Sequence, residues 1–194
     1  PGQYNENYSI DLPALLNSKA ASIDTSDTQS NPFQKNLTYR GFQASPLLGE
    51  PQGLAVYQNG VRVNEPFGDV MQWDLIPEAA ISRAEVISSN PIFGLNSLGG
   101  AIVLGLKNGF EFSGVNLDIN GGYFERGGAQ VQLGHNTEHV AIYTALEQQF
   151  EAGWRNRSPS DIKRAYANIA LRYDNVDVTW DFTHADNDLR GAGL

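Results

Sequence analysis

The sequence predicts a chain in two parts: a small mixed α+β domain over residues 1–108, then a run of antiparallel strands over 109–194. Three observations carry this. Composition changes character near Lys107-Asn108-Gly109; before that point short apolar runs are separated by Gly and Pro; after it, apolar and polar residues alternate. Alternation with period two places one apolar and one polar face on each strand.

Residues 1–30 are polar and poorly patterned, apart from Asp11-Leu12-Pro13-Ala14-Leu15-Leu16. That stretch reads as a short helix, with Asp11 as its N-cap and Pro13 in its first turn. Ser22 to Gln34 reads as loop. Leu54-Ala55-Val56-Tyr57-Gln58 reads as a strand, closed by Asn59-Gly60, a pair suited to a primed hairpin turn. The run resumes at Val61-Arg62-Val63, so a hairpin is expected. Pro77-Glu78-Ala79-Ala80-Ile81 suits a short helix with Pro at its first position. Arg83-Ala84-Glu85-Val86-Ile87 and Ala101-Ile102-Val103-Leu104-Gly105-Leu106 read as further strands, the latter preceded by Gly99-Gly100.

The second part holds about five alternating segments. Val115, Leu117 and Ile119 oppose Asn116, Asp118 and Asn120; Ala129, Val131 and Leu133 oppose Gln130 and Gln132. Val140, Ile142, Thr144, Leu146 and Phe150 follow, then Ala165 to Tyr173, then Val176, Val178, Trp180 and Phe182. Two architectures share this pattern. In a soluble sandwich the apolar face is core; in a membrane barrel it meets lipid while the polar face lines the lumen. Three details favour the barrel. Segments approach the roughly 9–11 residues that cross a bilayer at a tilt. Aromatics (Tyr123, Phe124, Phe150, Trp154, Tyr173) sit near strand ends. Tight turns at 136–139 and 174–175 contrast with the long connection from Glu151 to Asp161, although the Phe124 to Gly127 connection is short.

Composition bounds function. The chain has 194 residues, a formal net charge of −9 and no cysteine. Thiolate metal sites and disulfides are therefore excluded. An acidic chain is a poor partner for nucleic acid, which wants clustered Lys and Arg. The one basic cluster, Arg155, Arg157, Lys163 and Arg164, reads as a solvated loop. No apolar stretch approaches the roughly 18 residues of a membrane helix, which leaves a barrel open. The three histidines, His135, His139 and His184, define no metal set, and there is no nucleophile elbow or phosphate loop. No enzyme activity, metal or cofactor is expected.

Four stretches settle the choice when taken in order: Leu37-Thr38-Tyr39-Arg40-Gly41-Phe42; Val56-Tyr57-Gln58-Asn59-Gly60-Val61; Ile76-Pro77 leading to Ile81-Ser82-Arg83-Ala84-Glu85-Val86-Ile87; and Asn90-Pro91-Ile92-Phe93-Gly94 running to Gly99-Gly100-Ala101-Ile102-Val103. From Asn31 to Lys107 the chain resembles the plug of TonB-dependent outer-membrane receptors. Departures are mild: Asn59-Gly60 stands where the family usually has Asp-Gly, Phe93-Gly94 where it has Tyr-Gly, and Gly105-Leu106-Lys107 at the usual Thr-Lys ending.

The resemblance implies an α+β plug domain followed by antiparallel strands of an incomplete transmembrane β-barrel. It implies a transporter in the outer membrane of a Gram-negative bacterium, with TonB, outer-membrane lipid and a small-molecule or chelate ligand such as an iron-siderophore as partners. Arg40 and Arg83 resemble the plug arginines that pair with barrel carboxylates in a lock; Glu85 is an alternative local partner for Arg83. Gly41, Gly60, Gly94, Gly99 and Gly100 fit sites of positive φ or close backbone approach. Ligand contact is expected at three loop apices, through Phe33, Pro46, Leu47, Leu48, Glu65, Phe67 and Asp69. A soluble secreted β-rich binding module and an outer-membrane signalling receptor are the alternatives.

Overall fold

The computed structural model describes residues 12–19, 22–28, 31–88, 90–94, 96–123, 125–153 and 158–190. They pack as two units. One takes the described residues up to Asp74 together with Ile81–Leu106; the other takes Leu75–Ala80 and the described residues from Lys107 onward.

The first unit opens with α1 (Leu12–Lys19) and an antiparallel three-stranded sheet of β1 (Ile23–Thr28), β2 (Asn31–Tyr39) and β3 (Phe42–Ala44). Helix α1 starts one residue before Pro13, where a missing N–H leaves nothing unsatisfied; the expected cap Asp11 lies outside the described residues. The loop expected over Ser22–Gln34 is instead mostly strand. Its polar sequence carries no alternation in β1, and its pairing comes from the ladder to β2. Pro32 falls in the register irregularity between the pairs Asp27↔Lys35 and Thr28↔Asn31. A bulge is one of the few places a sheet tolerates proline.

A second sheet runs β5-β4-β7-β6, from β4 (Leu54–Gln58), β5 (Val61–Arg62), β6 (Ile81–Ser88) and β7 (Gly100–Leu106). β4 and β7 pair in parallel and the other neighbours antiparallel. Parallel central strands are covered on both faces, so they read as continuous apolar runs. Leu54, Ala55, Val56, Ala101, Ile102 and Leu104 are accordingly all fully buried. Two tight turns use the primed geometry, with φ of 51° and 85° at Arg40-Gly41 and 47° and 82° at Asn59-Gly60. At the start of β7, Gly100 has φ +144°, and a Cβ there would lie 2.4 Å from the Ile87 carbonyl oxygen. That oxygen belongs to the β6–β7 ladder and moves only if the ladder moves. Gly100→Ala is expected to lower stability by about 1–3 kcal/mol, read by equilibrium unfolding.

The second unit is a meander of β8 (Gly114–Gly121), β9 (Gly127–Asn136), β10 (Val140–Glu151), β11 (Ser160–Tyr173) and β12 (Val176–Leu189), each paired antiparallel with the next. All five expected segments are strands. The last two are 14 residues long, beyond the length expected from a bilayer crossing alone. In register, Val115, Leu133, Thr144, Ala167 and Phe182 form one row across the whole sheet. The faces are inverted relative to a soluble sheet. Ile142, Leu146, Phe150, Ile169, Trp180 and Phe182 are exposed, whereas Gln132, Glu147, Arg164 and Asn168 on the other face are buried. A sandwich would need a second sheet over the apolar face; among the described residues none covers it. The basic cluster is corrected by the same alternation. Arg164 is an inward residue of β11 and buried, Lys163 beside it faces out, and Arg155 and Arg157 lie outside the described residues. So do Phe124 and Trp154, while Tyr123, Phe150 and Tyr173 are exposed at strand ends.

Residues 75–80 lie within the span read from sequence as the first domain, yet they pack with the sheet of the second unit. The expected helix there is a single 3-10 turn, Glu78–Ala80, closed by the Ala80 N–H on the Pro77 carbonyl at 3.0 Å. Ile81 already belongs to β6.

Candidate ligand-binding site

Two loops of the first unit, 45–53 and 63–70, border an open hollow of about 740 Å³. Each is shaped by an amide side chain. The Gln52 carboxamide accepts from the Ser45 N–H at 3.0 Å and donates to the Ser45 and Leu47 carbonyls at 3.2 Å each, folding the first loop back on itself. Buried Asn64 accepts from the Val56 N–H at 2.7 Å and donates to the Leu54 and Asp69 carbonyls, fastening the second loop to β4. The Met71 N–H donates to the Ser45 carbonyl at 2.8 Å and joins the two loops. Amides with both donor and acceptor used are well suited to hold irregular backbone, whose polar groups need partners.

The floor of the hollow carries an ion pair, Arg62 Nη2 to Asp69 Oδ1 at 2.7 Å, with Glu50, Glu65 and Asn96 around it. Burial pushes the Asp69 carboxyl above the usual carboxylate range, with Arg62 and a hydrogen bond from Asn96 pulling the other way. Its second oxygen has no hydrogen-bond partner. On the two loops Phe67 is 78% exposed and Leu48 is 60% exposed, with the Leu48 side chain resting against Gly68. A polar hollow between loops that also carry exposed apolar side chains suits a solute with both polar and apolar parts.

The expected contact residues are thus distributed unevenly. Glu65 and Asp69 line the hollow, and Leu48 and Phe67 stand exposed on its two loops, with Pro46 and Leu47 half-buried. Phe33 does not join them. Its stretch is part of β2, where inward alternation buries the ring in the core. Arg62, Asn64, Gln52 and Asn96 escaped the sequence reading. The only advance signal was a set of amide residues in turn-rich stretches, which does not reveal which carbonyls they meet.

Arg40 is exposed, with its guanidinium 5.1 Å from the Tyr39 ring centre and a φ of 51°. That conformation costs a residue with a Cβ roughly 1–2 kcal/mol. Arg83 faces outward on β6, its stem lying across Gly105 of β7, and Glu85 faces the same way two residues on. Among the described residues no ion pair joins Arg83 to Glu85. Gly41, Gly60, Gly94 and Gly100 have positive φ; Gly99 does not, and it lies against the Phe42 ring. No group of three or more His, Asp or Glu arranged to hold a metal ion occurs among the described residues.

The family model for the TonB-dependent Receptor Plug Domain matches residues 3–101. No curated protein matches the chain in sequence. Among solved structures, the FrpB iron transporter from Neisseria meningitidis (F3-3 variant) superposes with a TM-score of 0.71 at 14% identity, over 94% of this chain and 30% of its own. The pyoverdine outer membrane receptor FpvA from Pseudomonas aeruginosa PAO1, bound to pyoverdine, gives 0.64 at 15% identity over 86% and 24%. The siderophore receptor PiuA from Acinetobacter baumannii gives 0.65 at 15% identity over 91% and 24%. The chain therefore spans less than a third of the length of these structures.

Proposed function

Since the chain belongs to the TonB-dependent receptor plug family, we propose that it is the N-terminal part of an outer-membrane transporter that imports a scarce chelated nutrient, an iron-siderophore by preference. In this reading the first unit is the plug, and β8–β12 are the first strands of the barrel wall.

One observation carries the reading: the sheet of the second unit exposes its apolar face and buries its polar one. In water that arrangement forfeits the hydrophobic term and desolvates polar groups as well. In a bilayer the first penalty vanishes, because the apolar rows meet acyl chains, and the second is offset because the buried polar groups pair with one another and with residues 75–80. Val140 to Phe150 on β10 spans about ten residue steps, about 33 Å along the strand. At a tilt near 40° this gives about 25 Å of height, the size of the apolar band of an outer-membrane barrel. The iron transporter and siderophore receptors among the structural neighbours favour an iron chelate as cargo, and the polar hollow around Arg62 and Asp69 offers groups to hold it. Arg40 and Arg83 keep their assignment as lock residues, their partners being carboxylates of the wall. Energy comes from TonB acting on the plug.

A strain lacking the receptor tests this directly. It is expected to lose high-affinity uptake of one ferric chelate, and to regain it on complementation only when TonB is present. Undiminished uptake without TonB would sink the reading.

The Asp69–Arg62 pair adds a pH dependence. Because the Asp69 carboxyl lies above the usual range, it takes up a proton before ordinary carboxylates do as pH falls. The negative charge beside Arg62 is then removed, and its guanidinium attracts an anionic ligand more strongly. Affinity for such a chelate is expected to rise as pH falls through the acid range in which Asp69 takes up its proton. Asp69→Asn is expected to bind at neutral pH as the native receptor does at acid pH, with a flat profile; ligand titration monitored by tryptophan fluorescence reads both.

A further inference from the structure

Residues 75–80 are held to the five-stranded sheet from both ends of their 3-10 turn. At the N-terminal end, the N–H groups of Glu78 and Ala79 donate to the two oxygens of the Glu147 carboxylate at 3.2 and 2.9 Å. Glu147 is in turn paired with Arg164 on the neighbouring strand, and Arg164 reaches the Glu78 carboxylate at 3.5 Å. At the other end, the Ala79 carbonyl accepts from Lys107 Nζ at 3.2 Å and from the Tyr143 hydroxyl at 3.3 Å. Both donors also bond the same Gln132 oxygen, at 2.8 and 2.9 Å. The Ala80 carbonyl accepts from the Lys107 N–H at 2.7 Å.

The orphan donors and acceptors of this one turn are therefore met by Glu147 and Tyr143 of β10 and by Lys107, which are themselves held by Arg164 of β11 and Gln132 of β9. Hydrogen bonds to charged groups are the strong ones, and Glu147 and Arg164 are almost wholly buried. The turn is covalently continuous with Asp74 and Ile81, which belong to the first unit.

We infer that residues 75–80 are a fixed staple of the wall, held by Glu147, which stays in place when the rest of the plug opens. Motion during transport is then confined to the chain before Leu75 and after Ala80. Both statements about opening rest on the transport reading; the bonds that hold residues 75–80 to the sheet do not.

Native-state hydrogen exchange on the whole receptor in graded urea, without ligand or TonB, tests it. The amides of Glu78 and Ala79 are expected to open together with β10 and β11, at higher urea than those of β4 and β7. Exchange of 78 and 79 in step with β4 and β7 would overturn the inference. Glu147→Gln is expected to lose roughly 10- to 100-fold protection at these two amides while β10 keeps its own; unchanged protection would also overturn it. Where that variant fails to fold, the E147M/R164M pair removes both buried charges together and must show the same selective loss. The measurement needs no uptake, so a failed staple and a failed transport reading give separate results.

Discussion

Ile169→Arg is expected to destabilise the folded receptor by about 2–4 kcal/mol, although the residue it replaces is already 38% exposed. The sign follows from which medium touches it. Ile169 lies midway along the apolar run of β11, with Ala165 and Ala167 on one side and Leu171 and Tyr173 on the other, and beside Ile142 and Trp180 on the adjoining strands. If that row meets hydrocarbon, the guanidinium must lose its water within the apolar band or drag water in. If it meets water, a surface change of this kind stays within about 0.5 kcal/mol and improves solubility. The two media therefore predict effects several-fold apart from one substitution. Equilibrium unfolding of the whole receptor from vesicles or detergent measures it. Arginine at position 163, replacing an outward lysine beyond the apolar rows, is the matched control and is expected to be neutral. A change at 169 as small as the control's would contradict the lipid-facing assignment.

The alternation of β8–β12 was legible because period two is local: Val115, Leu117 and Ile119 announce a two-faced strand whatever surrounds them. Which face would be buried was not legible, since that depends on what covers each side. The strands β4 and β7 were legible for a different reason. Continuous runs such as Leu54-Ala55-Val56 and Ala101-Ile102-Val103 suit strands covered on both faces, and Asn59-Gly60 fixes where the first one turns. In contrast, β1 offers one large apolar residue, Ile23, and five polar ones. Nothing within that stretch favours a strand, and only the distant partner β2 supplies its ladder.

The candidate hollow was legible in part. Apolar residues on loops, Leu48 and Phe67, and the carboxylates Glu65 and Asp69 stand out because loops seldom bury them. Gln52 bonds within its own loop, Asn64 fastens its loop to β4 and Arg62 pairs with Asp69, and the sequence contains no record of which oxygen each one meets. Phe33 shows the reverse failure: a loop assignment made it look available, and the unseen strand buried it. The staple lay furthest from reach, because Glu147 meets the N–H groups of residues 68 and 69 positions earlier in the chain. On its own strand Glu147 reads only as one more polar residue on a polar face.

That residue and its partner give the other large effect. Arg164→Met is expected to cost about 3–5 kcal/mol, because it leaves buried carboxylates without their cation. The Arg164 side chain is 2% exposed and the Glu147 side chain 3%. Glu78, at 3.5 Å from the same guanidinium, would face Glu147 across the gap, so the variant adds like-charge repulsion to lost attraction. Arg164→Lys keeps a charge but not the planar fork that reaches both carboxylates, and is expected to fall between. The double variant E147M/R164M removes the charge pair as a unit. It is expected to be markedly more stable than the sum of its single changes, since matched apolar side chains often replace a buried pair at little cost. A double-mutant cycle in urea on the whole receptor reads the coupling. Additive single changes, or a loss below about 1 kcal/mol for Arg164→Met, would mean that the pair is not shielded from water and that the polar face of β10 and β11 is wetter than its burial implies.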